Sequence, residues 1–82
     1  MNDPIIASLI TYIAQNILKQ PNRALSPVEP IISSGLIDSF SLVDLALFVE
    51  ESYGVHLDDT ELNRETFDSV NQLADIIRHR QR

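Results

Sequence analysis

The stretch from Asp38 to Gly54 constrains the fold more than any other part of this chain, because it predicts one helix with a defined start and end. Asp38 or Ser39 can cap the first turn, since a short side-chain oxygen can accept a hydrogen bond from a backbone N–H that lacks a helical partner. Gly54 can adopt the left-handed conformation that often follows the last helical residue. The Ser39 hydroxyl is thus predicted at a helix N-terminus, where free N–H groups and the helix dipole favour an attached anion.

This central helix is apolar on two sides. One face has the spacing of a core stripe, and it consists of Leu42, Leu45, Ala46, Val49 and Tyr53. The opposite face, called the second face below, mixes apolar and acidic residues, and it consists of Phe40, Val43, Asp44, Leu47 and Glu51. A helix that is apolar all round is usually buried all round. However, a chain of 82 residues can hardly enclose a helix, and the acids need water, so we expect the second face to be a docking surface.

The residues from Gly35 to Gly54 resemble the region of acyl carrier proteins that is centred on an Asp-Ser-Leu motif, here Asp38-Ser39-Phe40. The similarity extends more loosely to almost the whole chain. It implies that a separate phosphopantetheinyl transferase, using coenzyme A and magnesium, attaches a 4′-phosphopantetheine arm to Ser39. Asp38 would cap the helix and position the loop beside the arm, and no residue of the carrier would be catalytic.

The same resemblance implies the partners. An acyl- or aminoacyl-loading ligase would attach a group to the arm as a thioester, and downstream synthase or transferase enzymes would receive it. These enzymes would contact Phe40, Val43, Asp44, Leu47 and Glu51. Phe40 stands where leucine is usual, and Ser41 stands where carriers of fatty acid synthesis often have another acid, so a dedicated pathway is a better expectation than a fatty acid synthase. The identity of the cargo stays open.

Charge is distributed unevenly along the chain. The span from Glu29 to Asp75 contains eleven acids and one base, Arg64, a charge of −10, whereas the remaining residues carry +4, which gives the net −6. Such a field repels nucleic acid and favours approach to basic protein surfaces. The length and an apolar share of 44% predict one domain over residues 1–82. The resemblance implies that it is a single carrier domain, and we expect it to be a monomer.

Several site classes find no support in the composition. The chain has no cysteine and only two histidines, so we expect neither a disulfide framework nor a metal site. Its apolar runs are too short to cross a bilayer, and Met1-Asn2-Asp3-Pro4 is not the basic start of a signal peptide. We therefore expect no membrane partner and a cytoplasmic location.

A first helix is predicted from about Pro4 to Lys19, capped by Asp3 and closed by Gln20-Pro21. Its core stripe is Ile6, Leu9, Ile10, Ile13 and Ile17. A long connection follows, from about Gln20 to Asp38, in which Gly35 permits a tight turn or is an ordinary loop residue. The residues expected to pack this loop onto the core are Ile31, Ile32, Leu36 and Ile37, with lesser contacts from Leu25 and Val28.

The C-terminal third predicts a short extended connection, Val55-His56-Leu57, a helix of one or two turns from Asp58 to Asn63, and a last helix opened by Ser69. Ser69 and Gln72 have the spacing of a capping box, and Phe67 precedes them as a hydrophobic staple. The apolar face of the last helix is Val70, Leu73, Ala74 and Ile77. Three arginines, Arg78, Arg80 and Arg82, suit its C-terminal dipole and solubility. The predicted fold is all-α, a small antiparallel bundle of three main helices plus one short helix, with a long first loop.

Two other functions remain open. A helical protein–protein interaction module of the same fold would keep the second face and have no need of Ser39. A serine hydrolase would need a base for Ser39, and His56 is the obvious candidate. The chain lacks a Gly-x-Ser-x-Gly elbow, so we do not expect an enzyme.

Overall fold

The computed structural model describes residues 3–20 and 22–81. Its main helices are α1 (Pro4–Tyr12), α2 (Ser39–Tyr53) and α3 (Val70–Arg80). A π-helical segment, Ile13–Ile17, continues α1, and one 3₁₀ turn, Asp59–Glu61, lies between α2 and α3. These described residues contain no β-strand. The prediction of an all-α fold with three main helices and one short helix is therefore confirmed.

The first helix begins as predicted and ends differently. Asp3 caps it, because one carboxylate oxygen accepts hydrogen bonds from the N–H groups of Ile5 and Ile6 at 2.9 and 3.3 Å. Beyond Tyr12 the α-helix widens into the π-helical segment, and Lys19 adopts a positive φ of 57°. The prediction of a helix from about Pro4 to Lys19 is confirmed as far as Ile17, but the last part is π-helical, and Lys19 already leaves helical geometry. Pro21, which was expected to close this helix, lies outside the described residues.

The core joins the three helices to both long connections. Its largest fully buried side chains are Leu9, Ile13, Ile31, Leu45, Val49, Phe67, Val70, Leu73 and Ile77. In the first loop, Ile31 and Ile37 are buried as predicted, and Ile32 and Leu36 pack partly against the core. The two lesser contacts differ from expectation, because Leu25 is fully in the core whereas Val28 is 71% exposed. The loop is therefore held down along much of its length.

The start of α3 realises one half of the predicted capping box. Ser69 Oγ accepts a hydrogen bond from the Gln72 N–H at 3.2 Å. The Gln72 side chain accepts from the N–H of Asp68 at 2.6 Å, one residue earlier than a capping box requires. The Gln72 side chain therefore binds the residue before the cap, and this hydrogen bond restrains the backbone of Asp68.

Two arginines at the end of α3 form ion pairs in addition to their favourable interaction with the helix dipole. Arg78 forms ion pairs with Asp3, the capping residue of α1, and with Asp75. Arg80 binds both carboxylate oxygens of Glu61 and donates to the carbonyl of His56 at 3.2 Å. The explanation from dipole and solubility is thus incomplete, since these side chains tie α3 to α1 and to the 3₁₀ turn. Arg82 lies outside the described residues.

The length and composition of the helices show whether one of them could span a membrane. Within residues 3–20 and 22–81, no helix combines the length and the apolar character needed to cross a bilayer.

Candidate functional site

Ser39 is the first residue of α2, and it is exposed. Asp38 precedes it in extended conformation (φ −89°, ψ 177°), and its Oδ1 accepts a hydrogen bond from the Ser41 N–H at 2.8 Å. The sequence left the capping residue open between Asp38 and Ser39, and the structure assigns Asp38. The Ser39 hydroxyl is therefore not used as the cap.

Asp38 places a negative charge on the residue directly before Ser39. The hydrogen bond from the Ser41 backbone N–H favours the ionised carboxylate and lowers the pKa of Asp38 below its usual value. The charge also suits the positive end of the helix dipole. The capping role of Asp38 is confirmed, whereas its role in positioning an arm stays a prediction.

The loop directly before Asp38 is closed on itself by backbone hydrogen bonds. The N–H of Ile37 donates to the carbonyl of Ile31 at 2.9 Å, and the N–H of Gly35 donates to the carbonyl of Ile32 at 3.0 Å. Gly35 has a φ of 79°, a left-handed conformation that favours glycine. Of the two interpretations of Gly35, the structure supports the tight turn.

Asp68 anchors this loop to the start of α3. Its Oδ1 accepts hydrogen bonds from the N–H groups of Ile32 and Ser33, both at 2.8 Å, and its Oδ2 accepts from the Ser33 hydroxyl. Its backbone carbonyl also accepts from the Ile31 N–H at 2.7 Å. The Ser33 hydroxyl, followed by the backbone donors, lowers the pKa of Asp68. We call Asp68 with Ile31, Ile32 and Ser33 the loop anchor.

Sequence reasoning missed the loop anchor. The only local sign is an aspartate before the capping Ser69, and a capping pattern alone does not indicate a partner 35 residues away. The consequence is functional, because the anchor restrains the segment that leads directly into Asp38 and Ser39.

The two faces of α2 have separate environments. Leu42, Leu45 and Val49 are buried in the core, whereas Phe40, Val43 and Leu47 are 85, 47 and 53% exposed. The acids of the second face, Asp44 and Glu51, are also exposed, and neither forms an ion pair within the described part of the chain. The burial of one face and the exposure of the other follow the sequence prediction, and the docking role remains to be tested.

His56 lies at the opposite end of α2 from Ser39. Because an α-helix rises about 1.5 Å per residue, that end is roughly 20 Å from Ser39. The ring nitrogens of His56 face carboxylates, Nδ1 at 3.1 Å from Glu50 and Nε2 at 3.0 Å from Asp58. These two hydrogen bonds raise the pKa of His56, with Glu50 contributing most. His56 therefore connects α2 to the 3₁₀ turn and is not placed to activate Ser39.

No protein-family model matches the chain. A D-alanyl carrier protein from Bacillus pumilus (strain SAFR-032) is 34% identical over 50 residues, which is 61% of this chain and 64% of that relative. This similarity supports a carrier protein of the acyl carrier family. The relative is a carrier protein, as the sequence resemblance predicted, and the helical fold agrees with a small acyl-carrier-like bundle.

The match covers only part of the relative's length, and this limits what the relative implies about the present chain. The chain spans less than two thirds of the D-alanyl carrier protein that it matches. For a carrier protein, the residues that would matter here are an exposed serine, its capping acid and an exposed helix face. The structure brings all three together at α2, with Ser39 at the N-terminus and the second face along the same helix.

Proposed function

We propose that this chain is a carrier protein that receives a 4′-phosphopantetheine arm on Ser39 and holds a cargo group on that arm as a thioester. The observation that carries the proposal is the exposed Ser39 hydroxyl at the first position of α2, outside the cap formed by Asp38. A phosphodiester on this oxygen would lie at the positive end of the helix dipole, where anions are stabilised.

The residues around Ser39 fit such an arm in two respects. The hydroxyl is open to solvent, so a transferase can reach it, and the loop anchor limits motion of the segment that leads into Asp38 and Ser39. When attached, the arm supplies a thiol, which a chain without cysteine does not have.

In the attachment step, the Ser39 oxygen loses its proton and bonds to the phosphorus of the phosphopantetheine group, and adenosine 3′,5′-bisphosphate leaves from coenzyme A.

An aminoacyl group is the cargo class that we propose first. The support is the matching relative, whose name gives it a D-alanyl cargo. Phe40 and Ser41, which depart from the pattern of fatty acid synthesis carriers, agree with a dedicated pathway. The partners would then be a phosphopantetheinyl transferase, an aminoacyl-loading ligase and an enzyme that takes the group onward, and the carrier itself would catalyse nothing.

We propose the second face as the surface that these enzymes contact. Phe40, Val43 and Leu47 offer exposed apolar area, and Asp44 and Glu51 offer negative charge beside it. Apolar residues provide most of the buried contact in such interfaces, whereas charges steer the encounter. A basic surface on each partner enzyme is the expected complement.

The test is the intact mass of the protein after incubation with coenzyme A, magnesium and a broad-specificity phosphopantetheinyl transferase. We expect the mass to rise by one phosphopantetheine group, and Ser39→Ala to gain nothing. Ser41→Ala is the matched control, because it removes a hydroxyl from the same helical turn and should still be modified. Attachment to the Ser39→Ala variant, or label at Ser33, Ser34 or Ser41, would refute the proposal.

A non-carrying interaction module is the second candidate, and the exposure of Phe40 favours it equally. Such a module would use the second face in the same way and would not need the Ser39 hydroxyl. The mass measurement separates the two, since only a carrier gains an arm.

A further inference from the structure

An open groove of about 360 Å³ runs along α1 and the π-helical segment, and Phe48 of α2 bounds it on one side. Tyr12 and Phe48 form its aromatic wall, and the other lining residues are Ala7, Ser8 and Thr11 of α1 with Gln15 and Asn16 of the π-helical segment. Phe48 follows Asp44 by four residues and precedes Glu51 by three, so these side chains are neighbours on the helix surface. The groove therefore adjoins the second face at Phe48.

The aromatic wall is held in place by contacts on several sides. The rings of Tyr12 and Phe48 stack with centroids 4.2 Å apart and an interplanar angle of 18°, and Tyr53 packs edge-on against Phe48 at 6.3 Å. The Tyr12 hydroxyl donates to the carbonyl of Asp44 at 3.3 Å. The wall is thus in position before any partner binds.

Two negative charges lie beside this wall. Burial and then the carboxylates of Asp44 and Glu51 raise the pKa of Tyr12, so both carboxylates act on the phenol. Neither acid is paired with a cation among residues 3–20 and 22–81. The amide nitrogen of Asn16 donates to the carbonyl of Tyr12 at 3.3 Å, which leaves the amide oxygen available as an acceptor.

We propose that this groove receives an arginine side chain from a partner enzyme that docks on the second face. A planar guanidinium can lie against aromatic rings and donate several hydrogen bonds, and Asp44 and Glu51, which act on Tyr12, would balance its charge. The groove would thereby extend the carrier's contact surface from α2 onto α1. This inference rests on the proposed docking role of the second face and adds the chemistry of one partner residue.

The test uses the full, unmodified chain and two short peptides, acetyl-Gly-Arg-Gly-amide and the same peptide with citrulline in place of arginine. Citrulline keeps the shape of arginine and lacks its charge. Nuclear magnetic resonance spectra are recorded during titration. We expect saturable shifts that concentrate on Ser8, Thr11, Tyr12 and Phe48, with binding by the arginine peptide at least about fivefold tighter than by citrulline.

Variants assign the binding to the groove. Asp44→Asn should weaken binding of the arginine peptide at least about twofold, whereas Glu65→Gln, which removes one charge beside Arg64, should leave it unchanged. Ala7→Trp should block binding by filling the groove from an exposed position, and it avoids the loss of packing that Phe48→Leu would cause. Equal binding of both peptides, shifts spread over all acidic surfaces, or equal effects of Asp44→Asn and Glu65→Gln would overturn the inference. Because Ser39 stays unmodified, such a failure is distinct from failure of the arm-attachment test.

Discussion

At the residue scale, Asp38 and His56 hold charges at the two ends of α2. Asp38 accepts a hydrogen bond from a first-turn N–H, which favours its carboxylate form. His56 faces Glu50 and Asp58, which favour its protonated form. Each charge thus stabilises one end of the helix that carries the candidate site, and the two act over different ranges of pH.

The contribution of His56 to stability should depend on pH. Because the folded pKa of His56 is raised above its usual value of 6.5, folding favours the protonated form, and the stabilisation is complete below pH 6.5 and is lost as pH rises through the folded pKa. The charged groups near the ring are Glu50 and Asp58, with Glu61 and Arg80 beyond them.

Urea denaturation at several values of pH checks this. The free energy of unfolding of the parent protein should fall relative to that of His56→Gln as pH rises above 6.5. In Glu50→Gln, which lacks the carboxylate that raises the pKa of His56 most, this fall in the free energy of unfolding should be smaller. Parallel pH curves for the parent and His56→Gln would show that the two contacts do not stabilise the fold.

At the element scale, α2 combines a buried face and an exposed face in one helix. Asp38 begins it, and Gly54 ends it with a φ of 69°. The buried face holds the helix in the bundle, so the exposed face can serve contact with other molecules at little cost to folding. Substitutions on the two faces should accordingly affect different properties.

Leu45→Ala and Leu47→Arg form the matched pair. Leu45 is 1% exposed, and its truncation should lower the free energy of unfolding by about 2–5 kcal/mol because it leaves a cavity in the core. Leu47 is 53% exposed, and Leu47→Arg should change the free energy of unfolding by only about 0.5 kcal/mol. It should instead slow loading by the partner enzyme several-fold, because a cation would meet a basic surface.

Denaturation curves and loading rates of the arm-bearing variants provide the measurement. If Leu47→Arg unfolds the domain as strongly as Leu45→Ala does, the exposed face contributes to the core. If it loads at the parent rate, partner enzymes do not contact Leu47.

At the scale of the whole molecule, long-range polar contacts join elements that also pack together through the apolar core. The loop anchor joins the first loop to α3, and Arg80 joins α3 to the 3₁₀ turn through Glu61. The hydrogen bond from Arg80 lowers the pKa of Glu61 to about 2. Ser39 is thus supported indirectly by α3, which contributes no residue of the candidate site.

Asp68→Ala should loosen the loop before Ser39 while α3 stays folded. Hydrogen exchange at the amides of Ile32 and Ser33 should accelerate by at least about tenfold, because both lose their acceptor and their protection depends on local opening. Asp68→Asn is the matched control, since its side-chain oxygen can still accept both bonds. Unchanged exchange at the two amides in Asp68→Ala would show that the buried Ile31 and Ile37 hold the loop without the carboxylate.

The local patterns of the sequence determined the helices, the buried face of α2 and the exposure of Ser39. Caps such as Asp3, Asp38 and Gly54 act within a few residues, and the spacing of Leu42, Leu45 and Val49 selects one side of one helix. Because caps and apolar spacing act within a few residues, the all-helical fold and the family resemblance could be predicted from the sequence.

Tertiary structure alone decided the features that join distant residues. Asp68 binds the loop at Ile32 and Ser33, Arg80 binds Glu61, and Tyr12 stacks on Phe48 to form the groove. The π-helical end of the first helix and the positive φ of Lys19 beyond it also have no signal in the apolar spacing. Each of these depends on which surfaces the packed core brings within hydrogen-bond or van der Waals distance, and helical periodicity holds no information about that distance.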